Sequence, residues 1–126
     1  MSTVLLVEDE ELNRALVRAI LSRATDATVR AAELVEAGSL DQARSVLDQR
    51  AVDVVLLDVN LPDGNGLSLA TDLHAREQRP QVIALTASVL PHERAAAMSA
   101  GCDAFLDKPY APQDLLDVLA AHLPLV

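Results

Sequence analysis

Apolar residues in this chain follow two rhythms. Residues 4–7, 54–57 and 82–85 are unbroken runs of Val, Leu, Ile and Ala, as strands buried on both faces require. Ala104, Phe105 and Leu106 begin a similar run that ends at Asp107. Polar side chains close each run: Glu8 and Asp9, then Asp58, then Thr86, then Lys108. If the runs are parallel strands of one sheet, these groups meet at its carboxyl edge. Open α/β sheets bind ligands at that edge.

Between the runs the period changes to that of a helix. Leu12, Leu16, Ile20 and Leu21 predict one face of a first helix, with Arg14, Arg18 and Arg23 elsewhere around it. Ser39, Leu40, Asp41 and Gln42 read as a capping box opening a second helix, with Leu40, Ala43 and Leu47 inward. Gly66 leads into a third, carrying Leu67, Ala70 and Leu73. Pro91 suits the first turn of a fourth that Gly101 would end, and Pro112 that of a fifth carrying Leu115, Leu116, Leu119 and Leu123. Either 28–32 or 33–37 can supply the second strand. The latter is favoured because it runs directly into Gly38 and the capping box, which leaves 24–32 as an extended loop or a longer first helix. The alternation predicts an α/β fold, a parallel sheet covered on both faces, with five β/α units using residues 1–126 as one domain.

Composition narrows the function. A length of 126 residues with 51% hydrophobic content suits a packed core. A net charge of −9 argues against direct binding to nucleic acid and tolerates a metal site built from carboxylates. The one cysteine, Cys102, allows no internal disulfide and reads as a small buried filler. No apolar run approaches the roughly 20 residues of a membrane span. The N-terminus enters a strand without a basic, apolar leader, so the cytoplasm is the expected compartment.

Electrostatics then limits what the clustered groups can do. Two carboxylates about 4 Å apart repel by roughly 4 kcal/mol at an effective dielectric near 20. A hard divalent cation reverses that sign, and Mg²⁺ commonly combines one or two carboxylates with water and phosphate oxygens. Lys108 offers a point charge to the same phosphate, and the Thr86 hydroxyl a hydrogen bond. An aspartate carboxylate can accept a phosphoryl group as an acyl phosphate.

These residues carry a family resemblance. Val-Leu-Leu-Val-Glu-Asp-Glu at 4–10, Leu-Leu-Asp-Val-Asn-Leu-Pro-Asp-Gly-Asn-Gly at 56–66, Ala-Leu-Thr-Ala at 84–87 and Gly-Cys-Asp-Ala-Phe-Leu-Asp-Lys-Pro at 101–109 stand in the order of a receiver domain. The chain resembles the receiver domains of bacterial two-component response regulators from residue 4 to about 123. The resemblance implies a flavodoxin-like (βα)5 three-layer sandwich whose five-stranded parallel sheet has the order 2-1-3-4-5. It implies Asp58 as the phosphoacceptor, supplied by a sensor histidine kinase or a histidine phosphotransfer protein. Mg²⁺ would be held by Asp9, Asp58, the backbone carbonyl of Asn60, and Glu8 directly or through water. Lys108 would pair with the phosphoryl group across a cis peptide to Pro109. Thr86 and Phe105 would form the switch, presented to a downstream protein effector by the fourth helix, fifth strand and fifth helix.

The chain departs from the usual pattern at three places. Phe105 stands where tyrosine is common, so an output needing that hydroxyl is unavailable. The stretch between the first helix and second strand looks longer than usual, which affects any kinase-docking surface carried over. Asn60 and Ser88, two places after Asp58 and Thr86, are small and polar at positions that tune dephosphorylation in this family.

Plainer roles exist for each residue. Asp58 alone would suit a strand-end loop, Glu8 and Asp9 a helix N-terminus, Lys108 an ordinary surface, Thr86 a strand and Phe105 a core. His74, His92 and His122 lie too far apart in sequence for a metal site, and Gly64 and Gly66 read as loop permissiveness. The rival function is a Mg²⁺-dependent phosphohydrolase of the haloacid dehalogenase type. It normally has a second aspartate two residues after the nucleophile, where this chain has Asn60. A non-phosphorylated scaffold pseudoreceiver is a third reading, against which the Asp9, Asp58, Thr86 and Lys108 set argues. The Met1 start and an end just past the fifth helix favour a stand-alone regulator over an excised domain.

Overall fold

Each apolar run becomes a strand of one parallel sheet. The computed structural model describes residues 2–77, 79–87 and 91–124. Its main strands are β1 (Thr3–Val7), β2 (Glu33–Ala37), β3 (Val54–Asp58), β6 (Gln81–Thr86) and β7 (Ala104–Asp107). They pair in parallel in the order β2-β1-β3-β6-β7, which is 2-1-3-4-5 when only these five are counted. Two residues at a time, β4 (Asn60–Leu61) and β5 (Gly64–Asn65) form a small antiparallel hairpin just beyond β3. The second strand is the favoured segment.

Alternate residues of the strands feed two cores, as the period of two demands. Leu5, Val7, Val55, Leu57, Val82 and Ala84 pack with α3 (Leu40–Gln49), α4 (Leu67–His74) and Ala97 of α5 (Pro91–Ser99). Val4, Leu6, Val54, Leu56, Ile83 and Leu85 face α1 (Glu11–Ser22), α2 (Ala27–Ala31) and α6 (Pro112–His122). Each fully buried Leu or Ile contributes about 1.5–3 kcal/mol of transfer free energy. The layers are helix, sheet, helix. Cys102 is buried as expected.

Two local expectations need correction. Leu12 and Leu16 do not face inward: they are 80% and 52% exposed, whereas Val17 and Ile20 are buried. The inner row of α1 runs through 13, 17 and 20 toward buried Ala24 just past its end, so its N-terminal position belongs to polar Asn13. Residues 24–32 are neither an extended loop nor more of α1. Asp26 accepts from the N–H groups of Thr28 and Val29 at 2.9 and 3.1 Å, capping the separate short helix α2, which buries Val29.

The other helices start where their signals stand. Ser39 Oγ accepts from Gln42 N at 3.2 Å, and Gln42 Oε1 accepts from Gly38 N at 2.7 Å, a reciprocal cap shifted by one residue. In α3 the buried residues are Leu40, Ala43 and Leu47. Pro112 occupies the first turn of α6, and Gly101, with φ of +100°, follows α5.

Candidate functional site

Strand register brings the polar residues together. Val7 is level with Leu57, Asp58 with Leu85, and Thr86 with Asp107, so the chain after each strand emerges at one edge. At its centre the Lys108 ammonium lies 3.2 Å from Asp58 Oδ2 and 3.4 Å from Glu8 Oε2. Glu8 and Asp58 are both buried, at 2% and 7% exposure. Lys108 is placed by its own backbone, whose N–H donates to Thr86 O at 2.8 Å, and by a cis peptide to Pro109.

Glu8 is held from several directions. Its backbone N–H donates to Ala37 O, and its carbonyl accepts from Arg14 Nη1 at 2.7 Å. The Asn13 amide donates to Glu8 Oε1 at 2.6 Å. Burial, then hydrogen bonding to Asp58, pushes the Glu8 carboxyl up to about 7, although Asn13 and Lys108 oppose the rise. Burial works against the charge on Lys108, but the carboxylates of Asp58 and Glu8 outweigh it and hold the lysine above its usual value.

Asp58 projects into the same pocket. Asn60 N donates to its Oδ1 at 3.1 Å, while Lys108 occupies Oδ2, so both oxygens are engaged and aimed. The loop after Asp58 is pinned at two points. Asp63 accepts from Leu40 N and Asp41 N, at 2.9 and 3.1 Å, and these bonds hold its carboxyl below the usual range. Gly66 N donates to Val59 O at 2.8 Å, and a Cβ on Gly66 would collide with the carbonyl oxygen of Asp58. Gly66 is there for close approach, a reason beyond loop permissiveness.

The acidic donor set extends further than expected. Carboxylate oxygens of Glu8, Asp9 and Glu10 all lie within 4.8 Å of one another, with Asp9 and Glu10 exposed. All are hard oxygen donors, crowded enough to repel one another without a cation, which suits a divalent ion such as Mg²⁺. Asp58 is not one of these three; Asn60, exposed on β4 two residues after it, is tied to it by its backbone N–H. Thr86 and Phe105 line a cavity of about 320 Å³ with Val59, Asn60, Arg94 and Ala97. Phe105 is half-buried against the core that contains Leu57 and Ala84. Ser88 lies outside the described residues.

Three contributors escaped the sequence reading. Glu10 extends the acidic pair after β1 by one residue, which the adjacent Glu8-Asp9-Glu10 run in the sequence already signals. Asn13 was legible by stepping back one turn from Val17. Asp63 carried no local signal, since its partners are 23 and 22 residues away.

Comparison with known proteins supplies the family context. The family model "Response regulator receiver domain" matches residues 4–120. The nitrate/nitrite response regulator protein NarL of Escherichia coli is 30% identical over 118 residues, covering 94% of this chain and 53% of NarL. The polar-differentiation response regulator DivK of Brucella ovis is 30% identical over 123 residues, covering 96% of this chain and 95% of DivK. The chain thus spans about half the length of NarL and nearly all of DivK. The solved structure of chemotaxis protein CheY4 from Vibrio cholerae is 25% identical, with a TM-score of 0.85 over 98% of this chain and 99% of that one.

Proposed function

As the chain belongs to the receiver domains of two-component response regulators, we propose that Asp58 is its phosphoacceptor and that residues 1–126 work as one phosphorylation-dependent switch. The observation that carries this is the buried Asp58 carboxylate, aimed by Asn60 N–H and paired with Lys108 at 3.2 Å.

The phosphoryl donor is a phosphohistidine on a sensor histidine kinase or a histidine phosphotransfer protein. An Asp58 oxygen attacks phosphorus, a P–O bond forms, and the P–N bond breaks with its electron pair left on the imidazole. Charge accumulates on the phosphoryl oxygens, where Lys108 pairs with one and the Thr86 hydroxyl donates to another. Glu8, Asp9, Asp58 and the Asn60 carbonyl would hold Mg²⁺, with Glu10 at the rim. When bound, such an ion would supply charge neutralisation to the phosphoryl oxygens and the carboxylates. Water later cleaves the acyl phosphate, restoring the carboxylate and releasing inorganic phosphate. The chain therefore catalyses its own phosphorylation and dephosphorylation and has no turnover substrate.

Recruitment of Thr86 and Lys108 would change the surface around Phe105, and a downstream protein effector would read that change. The net charge of −9 supports a protein partner over direct nucleic-acid contact. Among the described residues no helix is long and apolar enough to cross a membrane. We place the domain in the cytoplasm, beside its phosphohistidine donors.

Incubation with acetyl phosphate or phosphoramidate and Mg²⁺ should add one phosphoryl mass to the wild type and none to Asp58→Asn. Equal labelling of the variant would move the phosphoacceptor elsewhere. Steady multiple turnover of small phosphate esters would replace the switch with a phosphohydrolase.

A further inference from the structure

Arg94 ties α5 to the sheet beside the site. Among the described residues of α5, Ala97 alone is buried, whereas α4 buries Leu69, Ala70 and Leu73. Apolar packing therefore holds α5 weakly, and Arg94 adds two polar contacts. Its guanidinium carbon lies 4.6 Å from the centroid of the Phe105 ring, within cation–π range. Its Nη2 pairs with Asp107 Oδ1.

Both partners are on β7, two residues apart and so on one side of the strand. Asp107 is covalently joined to Lys108 and in register with Thr86. Phe105 walls the cavity of about 320 Å³ that Val59, Leu67 and Ala97 also line. A cavity of about 150 Å³ already admits a benzene ring, so this one has room for the phenyl group. One side chain thus grips the aromatic ring, its cavity and the strand end that carries the site lysine.

We propose that Arg94 is a positioning residue that latches Phe105, α5 and the end of β7 in the arrangement where Lys108 rests on Asp58 and Glu8. The proposal rests on the receiver function above and names how the site's state reaches α5. Drawing Lys108 onto a phosphoryl group pulls on Asp107 and loosens the Arg94 contacts, which frees Phe105 to enter the cavity. Both contacts are half-exposed, so each shifts a two-state equilibrium only a few-fold. That weakness suits a latch that one bound group must open. Coupling is reciprocal: if the phosphoryl group loosens the latch, removing the latch tightens binding of the phosphoryl group.

The chain has a single phenylalanine, so 4-fluorophenylalanine labelling gives one fluorine resonance at Phe105. That resonance is followed as beryllofluoride, an acyl-phosphate mimic, is titrated in saturating Mg²⁺. The wild-type resonance should move on binding. Arg94→Ala and Asp107→Asn should each reach half-saturation at several-fold lower beryllofluoride, with Arg94→Lys between them and the wild type. Losing the guanidinium can shift the free resonance without any latch, so the half-saturation point decides. Unchanged or higher half-saturation in both variants overturns the proposal, and Asp107→Asn alone decides if Arg94→Ala does not fold. A wild-type resonance that ignores beryllofluoride also overturns it. The mass of the acetyl-phosphate-treated protein then separates the two ideas, since a phosphoryl group on Asp58 leaves the receiver function standing.

Discussion

The amide of Asn13 donates a 2.6 Å hydrogen bond to Glu8 Oε1 from the one polar position on the inner row of α1. This bond favours the charged form of a carboxyl that burial pushes the other way. Asn13→Ala should therefore raise the Glu8 pKa further and weaken Mg²⁺ binding several-fold at neutral pH. Calorimetric titration with MgCl₂ measures the change. An affinity equal to wild type would leave Asn13 a spectator.

The same carboxyl makes stability depend on pH. Glu8 holds its proton up to about pH 7 in the folded chain, against 4.5 for an ordinary glutamate, so the folded state binds the extra proton between those values. Stability from this group is complete below pH 4.5 and is lost as pH rises through about 7. With chelator present, Tm should fall across that window. Mg²⁺ competes with the proton, so the Tm increment it produces should grow over the same range. A metal increment independent of pH would exclude Glu8 from the metal site.

Lys108→Ala removes the ammonium that pairs with two buried carboxylates, and three effects should follow. Without metal the protein should lose about 1–3 kcal/mol, because Asp58 and Glu8 face each other uncompensated. Mg²⁺ should bind several-fold more tightly, since a competing cation is gone. Phosphorylation by acetyl phosphate should slow by at least roughly tenfold, as the phosphoryl group loses its counter-charge. Chemical denaturation, metal titration and mass spectrometry read these three outcomes separately. A wild-type phosphorylation rate would remove Lys108 from the chemistry.

Gly66→Ala tests the backbone of the site. The added Cβ meets the Asp58 carbonyl oxygen and comes within 3.2 Å of the Leu57 side chain. Overpacking of this kind costs about 1–3 kcal/mol, and relief requires the Asp58 backbone to shift. Urea denaturation should show the loss, and phosphorylation of the folded fraction should slow. Full stability with full phosphorylation would show that the loop yields without moving Asp58.

Strands were the most legible part of this molecule. Runs such as Val54 to Leu57 face helices on both sides, so every position is apolar and the first polar residue marks the exit. That is why Glu8, Asp58, Thr86 and Lys108 could be gathered at one edge from sequence. The surface of α1 was less legible, since Leu12 and Leu16 have the right spacing for a core and stand in solvent. Asn13 takes the inward place beside them, where its amide donates to Glu8. The helix α2 was missed because its five residues carry too little periodicity, although Asp26 stood ready as its cap. Contacts such as Asp63 to Leu40 and Arg94 to Phe105 cross between elements, and no local pattern announces them.

The bond between Lys108 and Glu8 spans 100 residues of chain, and that between Lys108 and Asp58 spans 50. The proposed phosphoacceptor and its counter-charge therefore coexist only after the last strand has docked beside β6. A chain still emerging from the ribosome, or clipped before residue 108, has the aspartate without the lysine. As the proposed phosphoacceptor, Asp58 of such a fragment would draw phosphate poorly from a phosphohistidine donor. On that reading, competence for phosphoryl transfer depends on a whole sheet.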